Sequence, residues 1–323
     1  MKGRLLLPLL LALALATPAC SQSPTPPPDK KPEATAATAT SPTAAAGDVG
    51  AGPAPQINAT RAMQYVREIV SIGPRPVGST GHRKVESYLL SHLKGDQVET
   101  DEFTASTPAG TFPMRNYIAR YPGTKEGVIV IASHYETLYG RKDFVGANDP
   151  GSSSGLLLEL AHHLRTGKRE GPSVWLVWLD GEEAFKEWSA TDSVYGSRHL
   201  AQKWQKDGTT KKIKAFILLD MIGDADLNID RDTNSTPALL AVVEQAATRL
   251  GHQSHFFRRE IAAEDDHLPF AAVGVPVADL IDFDYGYSNA FWHTREDTLD
   301  KLSPRSLEIV GNVVLESVRL LGQ

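Results

Sequence analysis

Five polar stations follow apolar segments along this chain, and their side chains are of the kinds that bind a metal ion or move a proton. The first is His134-Tyr135-Glu136, after the apolar residues 129–133. Gly146-Ala147-Asn148-Asp149-Pro150 comes next and leads into a run opened by Ser152. Asp180-Gly181-Glu182-Glu183 closes the apolar stretch 174–179, and Asp220 closes 216–219. Trp292-His293-Thr294 follows the stretch 277–280 and a loop. One polar residue at the end of an apolar segment means little, because such ends meet water anyway. Five stations with metal-binding side chains suggest one convergent site. Carboxylate oxygen and imidazole nitrogen suit zinc, whose catalytic sites take three protein ligands and keep one position open. These ligand types alone do not exclude manganese or cobalt. Adjacent carboxylates such as Glu182 and Glu183 raise each other's pKa, which suits proton shuttling near neutral pH.

The elements that must position these residues read as alternating strands and helices. Met63, Val66, Ile69 and Val70 fit one face of a helix that Gly73-Pro74-Arg75-Pro76 ends. Residues 85–93, 152–164 and 237–250 read as further helices. Strands are expected at 116–121, 127–133, 173–179, 215–219 and 275–280. Ser303-Pro304 reads as an N-cap followed by Pro at the first helical position. The last helix then runs to about Leu321, with Leu307, Val310, Val314 and Val318 on one face. Alternation of this kind gives an α/β layer fold. In such sheets the reactive residues sit beyond the carboxyl ends of the strands.

The chain has 323 residues, of which residues 56–323 read as the folded catalytic domain. Residues 1–20 carry a basic start (Lys2, Arg4), an apolar run over 5–16, and then Thr17-Pro18-Ala19-Cys20-Ser21. These are the parts of a secretory signal. Cys20 is the single cysteine, so no intramolecular disulfide can form. Its place after the apolar run resembles a bacterial lipoprotein box, whose thiol is acylated; cleavage near Ala16 or Ala19 would instead release a soluble exported protein. Residues 21–55 are rich in Pro, Ala and Thr with almost no large apolar side chain, the composition of a disordered tether. The expectation is export, with a lipid anchor at Cys20 facing the periplasm or cell exterior, and a monomer. The net charge of −6 offers no basic face for nucleic acid.

The stretch from Asp180 to Ala201, with Trp188 inside it, resembles the glutaminyl-peptide cyclotransferases, the animal-type zinc-dependent glutaminyl cyclases. Leu219-Asp220-Met221-Ile222-Gly223, Asp265-Asp266-His267-Leu268-Pro269-Phe270, Val273-Gly274-Val275-Pro276-Val277 and Trp292-His293-Thr294 match as well. The resemblance covers most of residues 60–320. It implies a three-layer α/β/α fold with a central mixed, mostly parallel sheet, shared with the zinc aminopeptidases. It also implies that Asp149, Glu183 and His293 bind one zinc ion per chain and that Glu182 is the general acid/base. Asp220 and Asp265 would form an acidic network beside it, and Trp188, Trp292 and Asp279 would belong to the substrate pocket. The implied reaction turns the N-terminal glutamine of peptides or proteins into pyroglutamate and releases ammonia.

Some residues depart from that pattern. Asp279 stands where animal cyclases usually have histidine, and Glu136 where the aspartate of a His-x-Asp pair is usual. Pro150 follows Asp149, and the loop 281–291 is longer than its animal counterpart. His134 and Asp220 leave a second metal open, because both occur in one-zinc cyclases and in two-zinc aminopeptidases. The competing activity is therefore a two-zinc aminopeptidase, in which Glu182 would activate water. A third reading, a binding lipoprotein without catalysis, fits less well, since Asp149, Glu182, Glu183 and His293 are all present. His162, His163, His199, His252, His255 and His267 carry no signal of ligation and read as structural or exposed.

Overall fold

A computed structural model of the chain describes residues 56–165 and 170–323; Cys20, the signal segment and the linker expected over 21–55 lie outside the described residues. In chain order the elements are α1 (Ala59–Ser71), α2 (Thr80–His92), β1 (Gln97–Thr107), β2 (Gly110–Tyr121) and β3 (Lys125–His134). Then come α3 (Gly151–Arg165), β4 (Pro172–Leu179), α4 (Tyr195–Lys206), β5 (Ile213–Asp220) and β6 (Ile229–Asp232). The rest is α5 (Pro237–Arg249), β7 (Phe256–Ile261), α6 (His267–Ala272), β8 (Val277–Ile281) and α7 (Pro304–Leu321).

The main sheet has six strands in the order β1-β2-β4-β3-β5-β8. The β4, β3, β5 and β8 strands are parallel, and β2 runs antiparallel to both β4 and β1. β6 and β7 form a separate parallel pair. The near-continuous apolar runs of β3, β4 and β5 follow from burial on both faces. Ile129 and Ile131 of β3 face one core with α1, α3, α5 and α7. Val128, Val130 and Ala132, one residue out of step, face a second core with Leu200 and Trp204 of α4 and Phe270 of α6. These two cores make the three layers that the resemblance implied. Ser303 caps α7 by accepting the N–H of Arg305, with Pro304 next in line, as the sequence predicts.

β3 leads through α3 to β4 on one side, while β5 lies on the other side of β3. The strand order thus reverses at β3, which opens a crevice at the carboxyl ends of these strands. Among the described residues no helix is long and apolar enough to cross a membrane.

Candidate active site and metal centre

Three side chains from three separate segments converge at the carboxyl edge of the sheet. Asp149 lies just before α3, Glu183 in the turn after β4, and His293 in the loop between β8 and α7. His293 Nε2 stands 3.2 Å from Asp149 Oδ2 and 3.1 Å from Glu183 Oε1. Donors around a tetrahedral zinc at about 2 Å lie roughly 3.3 Å from one another, so the spacing fits such an ion. Glu183 Oε1 is buried without a hydrogen-bond partner, as a ligand oxygen reserved for a cation would be. His293 is a non-glycine residue at φ 55°, and Met221, next to Asp220, is at φ 50°. Such left-handed backbone is costly for a side chain, and it concentrates at functional sites.

The loop that carries Asp149 is held in several ways. Asp297 accepts the N–H of Asn148 at 2.7 Å and of Asp149 at 3.1 Å, and Tyr285 donates its hydroxyl to the same carboxylate at 2.7 Å. The fully buried Arg75 donates to the carbonyls of Tyr135, Val145 and Gly146 at 2.9, 2.6 and 2.9 Å. It thereby ties the end of β3 to the loop. Gly146 has φ +54°, and a Cβ there would lie 2.0 Å from the Asp149 carbonyl, so the loop can close only on glycine. Asp297 stands in the family-like run Asp297-Thr298-Leu299-Asp300 after His293, but sequence reasoning gives neither it nor Arg75 this holding role. Each works through backbone atoms brought close by the fold, and no local pattern announces that.

Beside the trio a second set of donors meets. His134 Nε2 lies 3.1 Å from Asp149 Oδ1 and 3.4 Å from Asp220 Oδ1. His134 Nδ1 lies 3.8 Å from Glu136 and 3.9 Å from Glu182. Burial alone would lower the His134 pKa, but Glu182, Asp149, Asp220 and Glu136 around it raise it well above the usual value. Glu136 itself accepts the N–H of Glu182 and of Glu183, and so holds the turn after β4.

The carboxylates of this floor are crowded. Burial, together with Glu183, Asp265 and Asp266, pushes Glu182 well above the carboxylate range. Burial also lifts Glu183 to about 7 against the pull of His293. Asp149 goes the other way: burial is outweighed by hydrogen bonds from His134 and His293, and its pKa falls. His293 is raised to about 10, because Glu183 and Asp149 outweigh its burial. A buried surplus of acid of this kind draws positive charge, either as protons or as a cation.

These groups open into a cavity of about 560 Å³ lined by Asp149, Glu182, Glu183, Asp220, Asp265 and His293 on its polar side. Trp188 and Trp292, each 36% exposed, stand on its walls. The Trp188 indole N–H donates to Glu264 at 3.0 Å, and Trp292 stacks on His293 with ring centres 4.0 Å apart. Asp192 accepts the N–H groups of Phe185, Lys186 and Glu187, which shapes the segment carrying Trp188. Ile281 and Phe283, from the start of the long loop after β8, also line the cavity.

One expectation needs correction. Asp279, expected on the pocket wall, is fully buried on β8 and does not line the cavity, because its side chain faces inward toward His267 of α6. Of the two alternatives read for His267, structural or exposed, the structure has the first: it is fully buried between Asp232 and Asp279. Its surroundings come from β6 and β8, far away in sequence, and so left no local trace.

The model of peptidase family M28 matches residues 116–318. The chain is 35% identical over 271 residues to a glutaminyl-peptide cyclotransferase-like protein of Mus musculus, covering 74% of this chain and 70% of that protein. It is 31% identical over 263 residues to the glutaminyl-peptide cyclotransferase of Drosophila melanogaster, covering 72% and 73%. Among solved structures it resembles an Acidobacteriales bacterium glutaminyl cyclase at 53% identity and TM-score 0.83, covering 86% of this chain and 99% of that one. A Zn-dependent exopeptidase from Parabacteroides distasonis shares the fold, with TM-score 0.73 at 23% identity, covering 84% and 99%.

Proposed function

Because the chain belongs to peptidase family M28 and to its glutaminyl-peptide cyclotransferases, we propose that it closes the N-terminal glutamine of peptides or proteins into pyroglutamate and releases ammonia. The observation that carries this reading is the meeting of Asp149, Glu183 and His293 with Glu182 on the floor of one cavity, in a chain akin to those enzymes.

In this reading Asp149, Glu183 and His293 hold a single zinc ion. The ion, when bound, would polarise the side-chain amide carbonyl as a Lewis acid. Glu182 takes a proton from the substrate's α-ammonium group, which frees its nitrogen to attack the side-chain carbonyl carbon. The bond from the α-nitrogen to that carbon forms, Glu182 passes its proton to the amide nitrogen, and the bond from the carbon to that nitrogen breaks; the second proton of the ring nitrogen then goes through the same carboxylate to the ammonia, which departs as ammonium. The raised proton affinity of Glu182 suits it to hold that proton between the two steps. Asp220 and Asp265 line the same cavity and would steady the proton there. Trp188 and Trp292 would hold the substrate bent, with its amine over its own amide, so that no outside nucleophile is needed.

The second reading is a two-metal aminopeptidase. His134, Asp149 and Asp220 favour it, because their donor atoms also lie within 4.8 Å of one another. Mass spectrometry of zinc-loaded protein with Gln-initiated and Leu-initiated peptides separates the two, with Glu182→Gln as the blank. Loss of one ammonia from the Gln peptide alone supports the cyclase. Stepwise loss of the first residue from the Leu peptide sinks it and moves the assignment to the aminopeptidase.

The proposal also places the enzyme outside the cytoplasm, with residues 1–20 as the export signal and Cys20 as the acylated anchor to a membrane. Its folded part would act as a monomer.

A further inference from the structure

One wall of the cavity comes from the β6–β7 pair and from the loop after β8. Ile261, Ala262 and Ala263 end or follow β7, and Ile281 and Phe283 end or follow β8. This wall rests on neither of the two main cores. Met221, Ile281 and Tyr285 form a small cluster of their own, with Ile261, Ala263 and Phe283 packed against it. Such satellite clusters lie under long loops, and this one leaves the loop to be fixed by polar contacts.

Asp230 of β6 supplies them. Its side chain is 1% exposed and takes a fork from Arg259 of β7, with Nε on Oδ1 and Nη2 on Oδ2, each at 2.7 Å. Oδ2 also accepts the backbone N–H of Phe283 at 3.1 Å. One carboxylate thus ties β6, β7 and the loop after β8 together, where that loop begins to line the cavity. A two-bond pair of arginine and carboxylate fixes direction as well as distance.

From Phe283 a run of ring contacts leads to the site. Its ring meets Trp292 edge to face, with centres 4.9 Å apart and planes at 67°. Trp292 lies on His293 at 4.0 Å and 24°. Nε2 of His293 is the atom that faces Asp149 and Glu183. Metal-binding histidines are usually oriented by a hydrogen bond from the second ring nitrogen. Among the described residues no group accepts one from His293 Nδ1, and the ring is met instead by Trp292 and by Phe144.

The inference deepens the cyclase reading and rests on its assignment of His293 as a ligand. We propose that Phe283 is a positioning residue: held by the Asp230–Arg259 pair, it keeps Trp292 against His293 and so fixes the direction in which that imidazole presents Nε2. An ion pair on β6 and β7 thereby sets the aim of a ligand in the loop before α7.

The first readout needs neither metal nor turnover. An indole stacked on an imidazole shifts the ring-proton resonances of that imidazole upfield. In NMR of the metal-free protein at fixed pH, His293→Gln identifies these resonances, and Trp292→Ala shows where they lie without the indole. Phe283→Ala is expected to move them at least halfway to the Trp292→Ala position. Arg259→Gln should move them the same way, and Arg259→Lys, which keeps the charge but not the fork, less far. Resonances that stay in place in Phe283→Ala overturn the proposal.

The second readout is zinc affinity by competition with a chelator. Phe283→Ala should weaken binding by about tenfold, the lower end of what supporting contacts around a ligand carry. In the Trp292→Ala background the same substitution should cost nothing further, since its route to His293 is gone. Equal losses in both backgrounds would mean that Phe283 acts on the fold at large, and would sink the positioning role. Zinc affinity unchanged in His293→Gln overturns the ligand assignment and the proposal with it. Moved resonances and weakened zinc in a protein that releases no ammonia from a Gln-initiated peptide leave the positioning role standing and overturn the function instead. Phe283 is half-buried, so its loss empties no main core, and Phe283→Leu repeats both measurements if the alanine variant does not fold.

Discussion

The carboxylate of Glu136 sits on the backbone of Glu182: one oxygen accepts the N–H of Glu182 at 2.6 Å and that of Glu183 at 3.2 Å. The proposed proton carrier and the proposed ligand beside it thus hang from a single atom. Glu136→Ala should release this turn. Supporting contacts of this kind typically carry 10–100-fold in metal affinity or activity, so kcat/KM on a Gln peptide should fall by roughly that much. Wild-type kinetics in Glu136→Ala would show that the turn after β4 keeps its shape unaided.

Asp297 plays the matching part for the loop of the proposed ligand Asp149, where it accepts two successive N–H groups at Asn148 and Asp149. Asp297→Ala should weaken zinc binding by about 10–100-fold, measured by competition with a chelator, while the secondary structure by circular dichroism stays intact. Asp297→Asn keeps one oxygen acceptor and should fall between the two.

Zinc affinity should rise with pH. A histidine or carboxylate must be free of its proton to ligate. Glu183 stands at about 7 and His293 at about 10, both above their usual values, so protons compete with the ion throughout the neutral range. Chelator competition between about pH 6 and 8 should show the dissociation constant falling as pH rises. A constant value across that range would mean that the metal sits elsewhere.

Trp188 forms a cavity wall and donates its indole N–H to Glu264. If it does no more than shape the space for substrate, Trp188→Ala should raise KM several-fold and leave kcat within about twofold, the signature of lost uniform binding. A collapse of kcat with KM unchanged would give Trp188 a part in the transition state instead.

Much of this arrangement is legible in the sequence, because a parallel sheet buried on both faces leaves plain apolar runs. The ends of β3, β4 and β5 fall where His134, Asp180 and Asp220 interrupt those runs. Other elements leave no such trace. β1 is an edge strand in which only Asp101 and Ala105 are buried, and its sequence QVETDEFTAST reads as polar chain. β6 is four residues long with Asp230 and Asp232 inside it, and α6 is six residues long with Pro269 in its first turns. Segments so short hold their shape only through tertiary packing. The same cause hid His267, whose meaning depends on carboxylates from β6 and β8. Asp279 stands out as a departure from the family pattern, yet its burial could be seen only once β8 was laid beside β5.

The stacking of Trp292 on His293 has an optical consequence. A protonated imidazole quenches the fluorescence of an indole it touches, and a histidine committed to a metal is no longer an imidazolium. Trp178 and Trp204 are fully enclosed in the two cores, Trp188 and Trp292 both lie at the cavity, and of these two Trp292 has its ring 4.0 Å from that of the proposed ligand, so its share is read by difference against Trp292→Phe. The chain therefore carries its own reporter: the emission of Trp292 would follow the filling and emptying of the site without any dye or label.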